Sequence, residues 1–367
     1  MFRSGYSFIQ LVMDKIRVLV IDDSAVARQF IRKSLEKDPK IEVIGVAPDP
    51  DAAMVAIEKH KPDVLTLDVE MPKTDGITFL RRLMRKTPIP TIMVSAVTTK
   101  GADITFQALE VGGVGYVTKP SGQGPVESMR FERDIREMVK VAAGVKKKTI
   151  KKIEQRAPQE KLSADAVIEK KSQSRRLTSS DKVIAIGSST GGTEAIKQIL
   201  VKLSADTPGI VIAQHIPASF SQPFAKRMDQ CSAMTVSEAK HGEQIRRGHV
   251  YIAPGDKHLL VNCRSGKYVI ELSDGPEVNH HRPSVDVLFR SVAQNVGKSA
   301  IGIILTGMGD DGASGLKEIQ ETGAPTIAQD EETSIVWGMP GSAVAINAAN
   351  HVLGLDKIAS KLFSIAK

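Results

Sequence analysis

The chain has 367 residues, which at about 100–200 residues per domain suggests two domains or three, and its 41% hydrophobic and 25% charged residues exclude wholesale disorder. Only 4% of residues are aromatic, which argues against stacking platforms for single-stranded nucleic acid, and the two cysteines, Cys231 and Cys263, exclude a disulfide scaffold or a cysteine-built zinc site and suit a reducing compartment. The net charge of +8 is a weak hint of nucleic acid, because the stretch from Lys146 to Arg176 holds eleven Lys/Arg against four Asp/Glu and leaves +1 for everything else.

The first residues, MFRSGYSFIQLVM, carry a short apolar patch and no small-residue cleavage site, and no apolar run reaches the ~20 residues that span a bilayer. A cytoplasmic protein without membrane insertion is expected. Residues 1–14 read as an extension, with Met13 as an alternative start. Strand candidates follow at Arg17–Ile21, Ile41–Ala47, Asp63–Leu67, Thr91–Ser95 and Gly115–Val117, with helical patterns between them. Five such units fit a flavodoxin-like, doubly wound five-stranded parallel sheet, in which ligands bind at the carboxyl ends of the strands.

Acidic residues stand at those ends. Asp22 and Asp23 follow the first strand and Asp68 follows the third. Carboxylates converging on one sheet edge repel one another and call for a cation, and oxygen-only ligands suggest Mg²⁺. Ser95 closes the fourth strand, and Lys119 follows the fifth, ahead of a proline whose peptide bond is a candidate for cis. The segments VLVIDDS, LTLDVEMPKTDG, VSA and GYVTKP, in this order, resemble the receiver domain of two-component response regulators. The resemblance implies that Asp68 is the phosphoacceptor, that Asp22 and Asp23 serve Mg²⁺, that Ser95 and Lys119 contact the phosphoryl group, and that Tyr116 is an aromatic switch residue.

Residues 146–180, basic and poor in apolar side chains, read as a solvated linker between a domain at 15–145 and another at 181–367, with docking to an acidic partner as the other reading. Beyond it, Lys182–Ile186 reads as a buried strand running into Gly187-Ser188-Ser189-Thr190-Gly191-Gly192 and a helix. Three readings compete there: a phosphate loop, which lacks its lysine; a plain capped turn; and a serine nucleophile, since Gly187 to Gly191 fits G-x-S-x-G. A second strand, Gly209–Ala213, ends at Gln214-His215, and a third, Ala300–Leu305, ends at Thr306-Gly307-Met308-Gly309-Asp310-Asp311-Gly312. A serine, a histidine and an aspartate thus stand at the ends of three strands of one sheet, as a proton-relaying triad requires. Their chain order, Ser then His then Asp, differs from that of α/β-hydrolases.

The segments IGSSTGGTEAI, AQHIP, VYIAPGDKHL, HRPSVDVLF and LTGMGDDGASG, behind a receiver, resemble the chemotaxis protein-glutamate methylesterase/protein-glutamine glutaminase family. The resemblance implies an α/β chain, with a Rossmann-like methylesterase domain following the receiver. It implies Ser189 as nucleophile, His215 as base and Asp311, rather than Asp310, as orienting acid. It further implies Met308 N–H as an oxyanion donor, and Thr190 and His281 to Ser284 as site lining. Expected partners are methyl-accepting chemotaxis receptors as substrate and a chemotaxis histidine kinase as phosphoryl donor, with no nucleic acid. The catalytic domain is expected to need no cofactor, and the unphosphorylated receiver is expected to cover the hydrolase cleft. Readings from other classes are a nucleic-acid-binding output, a catalytically idle module of the same fold, and a hydrolase for another ester.

Overall fold

The structure is a computed structural model that describes residues 15–71, 76–96, 98–120, 122, 124–146, 162–170 and 181–366. The extension at 1–14 and most of the basic tract lie outside the described residues. The described residues form two compact units.

The first is built on a parallel sheet of five strands, β1 (Ile16–Ile21), β2 (Ile41–Ala47), β3 (Val64–Asp68), β4 (Thr91–Ser95) and β5 (Gly115–Thr118), in the order β2-β1-β3-β4-β5. Between and after these strands the chain forms α1 (Ala25–Glu36), α2 (Pro50–His60), α3 (Gly76–Lys86), α4 (Thr99–Val111) and α5 (Pro125–Lys146), of which residues 97–110 group with the second unit. β3 and β4 are buried along their whole length, which is why their sequences read as continuous apolar runs rather than alternations. The Ser24 hydroxyl accepts the Ala27 N–H at the start of α1. Asp49 does the same for Ala52 ahead of Pro50, so both helices begin where a capping side chain meets the first free amides.

The second unit holds seven parallel strands, β6 (Val183–Ser188), β7 (Gly209–Gln214), β8 (Thr235–Glu238), β9 (His249–Ile252), β12 (Ala300–Ile304), β13 (Thr326–Gln329) and β14 (His351–Leu353), ordered β14-β13-β12-β6-β7-β9-β8. Between β9 and β12 the chain makes an antiparallel hairpin, β10 (His258–Arg264) and β11 (Lys267–Ser273). Its two-residue loop, Ser265-Gly266, has both φ angles positive, the turn that matches strand twist. Helices α6 (Gly192–Leu200), α7 (Ala218–Cys231), α8 (Val285–Asn295), α9 (Ala313–Glu321), α10 (Met339–Ala345) and α11 (Leu355–Ile365) complete it. Helix α8 is buried almost all round, and its Leu288, Phe289 and Val292 share one core with β6, β7, β10 and β12.

Two expectations need correction. Within the basic tract, residues 162–170 are not a solvated tether. Ala164, in a turn of 3₁₀ helix at Ala164–Ala166, is buried with Leu260, Val278 and Val287, and Val167 and Ile168 pack against the same cluster. The Arg290 guanidinium reaches Asp165 Oδ1 at 2.8 Å. Three apolar side chains and one anion are enough to dock a segment whose composition is otherwise solvating. Among the described residues the cis peptide bond is Arg282-Pro283, not Lys119-Pro120; Lys119 reaches the acidic edge without it.

Candidate active site and receiver acidic cluster

Both sheets place their chemistry where strand order reverses. In the first sheet that point lies between β1 and β3, and the residues there are Asp22, Asp23 and Asp68. One carboxylate oxygen from each of the three lies within 4.8 Å of the others. Asp22 and Asp68 are buried and Asp23 is exposed. Lys119 Nζ stands 2.8 Å from Asp22 Oδ2 and 2.9 Å from Asp68 Oδ2. Burial raises the Asp68 pKa above its ordinary value, with Asp22 adding to the rise, while the Lys119 ammonium works against it. Ser95 is fully buried at the end of β4, its hydroxyl donating to Ala96 O at 3.2 Å. Tyr116 is half-buried on β5.

In the second sheet the reversal falls between β6 and β12. Ser188, the last residue of β6, is paired in register with Gln214, the last of β7, so Ser189 and His215 leave adjacent strands side by side. The His215 N–H donates to Ser188 O, and the Ser189 N–H donates to Thr306 O just beyond β12. Ser188 is fully buried and donates its hydroxyl to Gln214 Oε1 at 2.6 Å, while the same amide donates to Ser189 O at 2.9 Å. Ser189 itself is half-buried. A glycine is required opposite it: a Cβ on Gly307 would sit 2.8 Å from Ser189 Cβ and 2.2 Å from Met339 Sδ.

Asp311, buried, meets His215: Oδ2 lies 2.8 Å from Nε2. Asp310, its neighbour, is exposed. The second imidazole nitrogen of His215, Nδ1, is buried with no hydrogen-bond partner among the described residues. His281 stacks on the His215 ring, centroids 3.7 Å apart and planes 14° from parallel. Thr190 O accepts the Thr306 hydroxyl at 2.9 Å, and the half-buried Met308 sits between Gly307 and Gly309.

The sequence reading missed what holds Asp311. Its Oδ1 accepts from Ser284 Oγ and Asn279 Nδ2, each at 2.8 Å, and from the Asp286 N–H at 3.2 Å; its Oδ2 also accepts the Val285 N–H at 2.7 Å. The two amides open α8, so the carboxylate caps a helix N-terminus. Burial works to raise the Asp311 pKa. The His215 hydrogen bond and charge, the His281 charge and the Asn279 amide outweigh it and hold the group well below the usual carboxylate value. A carboxylate fixed in this way stays ionised and accepts the Nε2 proton of His215, so that whenever the imidazole is neutral its lone pair is on Nδ1.

The CheB methylesterase family matches residues 184–362, and the response regulator receiver domain matches residues 18–129. A protein-glutamate methylesterase/protein-glutamine glutaminase of Hydrogenovibrio crunogenus is 50% identical, covering 97% of this chain and all of the relative. The chain belongs to the protein-glutamate methylesterase/protein-glutamine glutaminase family. A second member, from Geobacter metallireducens, is 47% identical over 95% of each chain. The crystal structure of the Thermotoga maritima CheB methylesterase catalytic domain shares 40% identity, covers 50% of this chain and 98% of its own, and superposes with a TM-score of 0.50. The architecture is therefore an N-terminal receiver followed by an α/β methylesterase domain, both built on parallel sheets. Asn279 and Asp286 fall inside the methylesterase match; Asp286 lies within the segment HRPSVDVLF, while no periodicity marks Asn279.

Proposed function

We propose that this chain removes methyl esters from glutamate side chains of chemotaxis receptors and deamidates particular receptor glutamines, under control of its receiver. The observation that carries the reading is the buried Asp311–His215 pair, standing one strand from Ser189 in a chain of this family.

Ser189 Oγ attacks the γ-carbonyl while its proton passes to His215 Nδ1, the nitrogen that Asp311 leaves free. This reverses the ring-nitrogen roles of the chymotrypsin-type triad, in which the acid holds Nδ1. The tetrahedral oxyanion is met by Met308 N–H; removal of one such donor typically costs ~10²–10³ in rate. Methanol departs with the proton from His215, or ammonia departs when the substrate is glutamine. Water then attacks the acyl-enzyme, giving its proton to His215, and glutamate and free Ser189 are restored. Thr190 and His281 line the site, and no cofactor enters this chemistry.

In the receiver, Asp68 takes the phosphoryl group from a chemotaxis histidine kinase. The carboxylates of Asp22, Asp23 and Asp68 fit a hard, oxygen-liganded cation such as Mg²⁺, which when bound would neutralise charge on the transferring phosphoryl group. Ser95 and Lys119 contact the phosphoryl oxygens. Phosphorylation replaces one carboxylate with a more highly charged group and biases a two-state receiver surface that otherwise restrains the catalytic domain. The receiver runs from 15–145 and the catalytic domain from 181–367, and of the tract 146–180 between them the part at 162–170 packs on the catalytic domain. No helix among the described residues is long and apolar enough to cross a membrane, and the protein works in the cytoplasm, without nucleic acid.

The decisive experiment measures methanol released from methylated receptor membranes by the full chain, with and without a phosphoryl donor. Activity that rises on phosphorylation and vanishes in Ser189→Ala is expected; normal turnover by a folded Ser189→Ala protein overturns the assignment.

A further inference from the structure

The triad acid is tied to a second buried carboxylate that the reaction does not use. Asn279 Nδ2 donates to Asp311 Oδ1 and to Asp286 Oδ2, both at 2.8 Å. An amide nitrogen has two hydrogens, so one side chain satisfies both acids. The other oxygen of Asp286 accepts the Gly315 N–H at 2.7 Å, in the first turn of α9 and four residues after Asp311. A closed circuit results: Asp311 to Asn279, to Asp286, to Gly315, and back along the chain to Asp311.

The circuit touches the other ring of the site as well. Asn279 has φ +52° and His280 φ +66°, so the chain reverses tightly before His281, which stacks on His215. The Asn279 N–H donates to Leu162 O, on the docked segment 162–170. Asn279, Asp286 and Arg290 line one recess of about 140 Å³.

We propose that Asn279, braced by Asp286, is a positioning residue: by holding Asp311 Oδ1 it fixes the carboxylate so that Oδ2 faces His215 Nε2. This rests on the triad reading given above. Neither side chain contacts the reacting atoms; each acts through Asp311. Asp286 is buried beside Asp311, and burial together with that neighbouring charge raises its pKa, while the Gly315 and Asn279 donors oppose the rise. Without the amide, two buried acids face each other with no shared donor, and the Asp311 carboxylate is free to turn.

The test uses the full chain and methanol release from methylated receptor membranes. Glycine accepts φ +52° at no steric cost, so Asn279→Gly removes the amide and keeps the turn. The expected result is a fall in kcat of about tenfold or more with KM within about twofold, measured at a temperature where circular dichroism shows the variant fully folded. If Asn279 serves only the turn, Asn279→Gly retains parental kcat, and the proposal fails. Asp286→Asn reads the same bridge from its far end, where an amide NH₂ would confront a donor. A similar loss is expected, and the double variant should lose less than the product of the single losses. Parental kcat in Asp286→Asn, or multiplicative losses in the double variant, overturn the proposal. Ser189→Ala separates the two levels: if it is inactive while Asn279→Gly is normal, the positioning role alone is lost, whereas an active Ser189→Ala removes the triad reading itself.

Discussion

His258 Nδ1 accepts the Ser284 N–H at 3.2 Å, and the same Ser284 gives its hydroxyl to Asp311. The imidazole is fully buried, with Nε2 donating to Pro276 O at 2.9 Å. Both ring nitrogens are therefore committed, one of them as an acceptor, and a second proton has no place without breaking the contact to Ser284. Burial pushes the His258 pKa below its ordinary value of 6.5, and the Arg282 charge pushes the same way.

The sign of the resulting pH dependence follows from linkage. The folded pKa is depressed, so below about pH 6.5 the unfolded chain binds a proton that the folded chain refuses. His258 thus contributes stability that is complete above pH 6.5 and declines as pH falls, by up to about 1.4 kcal/mol per pH unit. Urea unfolding at pH 7.5 and pH 5.5 should show a larger loss for the parent than for His258→Gln. Equal losses would remove His258 as the cause.

Ser284→Ala removes two contacts at once. The hydroxyl accepts the Val287 N–H as the cap of α8 and donates to Asp311. Loss of the cap and of a donor to a buried charge should destabilise the domain by about 1–3 kcal/mol. Turnover should fall several-fold as well, because Asp311 Oδ1 loses one of its three donors. Denaturant titration and methanol release on the same preparation check both.

Gly307→Ala should be far more damaging to activity than its size suggests. The Met339 thioether can swing away from a new methyl group, but the Ser189 Cβ and the Ser189 N–H, 2.8 and 3.1 Å from that position, cannot yield without moving the nucleophile. A displacement of ~1 Å there can cost about 10²-fold in rate. A drop in kcat of that order, with far-ultraviolet circular dichroism unchanged, is the expected outcome.

Lys119 is the cation placed between two buried carboxylates, and a third carboxylate faces the same point. Adding Mg²⁺ should raise the unfolding temperature of the receiver transition, and a chelator should reverse the gain. Asp23→Asn should blunt the response with little change to the metal-free protein, since Asp23 is exposed. A receiver transition insensitive to Mg²⁺ would count against the cation site.

How much of this was legible in the sequence depends on what held each part together. β1, β3, β6, β7 and β12 were readable because strands buried on both faces are unbroken apolar runs, and the residues that end them are the polar ones at the site. β8, β13 and β14 are four, four and three residues long and, unlike the equally short β5, stand in none of the quoted motifs. The Asp310–Asp311 ambiguity could not be settled from spacing, since adjacent residues differ only in which way the loop turns them. Asn279 and Asp286 were invisible as partners because the loop and helix carrying them meet only after folding. The docked segment had a faint signature, apolar Ala164, Val167 and Ile168 at helical spacing, but its counterparts Leu260, Val278 and Val287 lie far along the chain.

That segment changes where the gene can be cut. A truncation beginning at residue 181 discards Ala164, Asp165 and the Leu162 carbonyl, baring Val278 and Val287 and releasing the backbone amide of Asn279. One beginning a few residues before Leu162 keeps them. The two fragments are expected to differ in turnover and in solubility although neither contains a receiver, so the proposed restraint by the receiver is properly tested with the longer one.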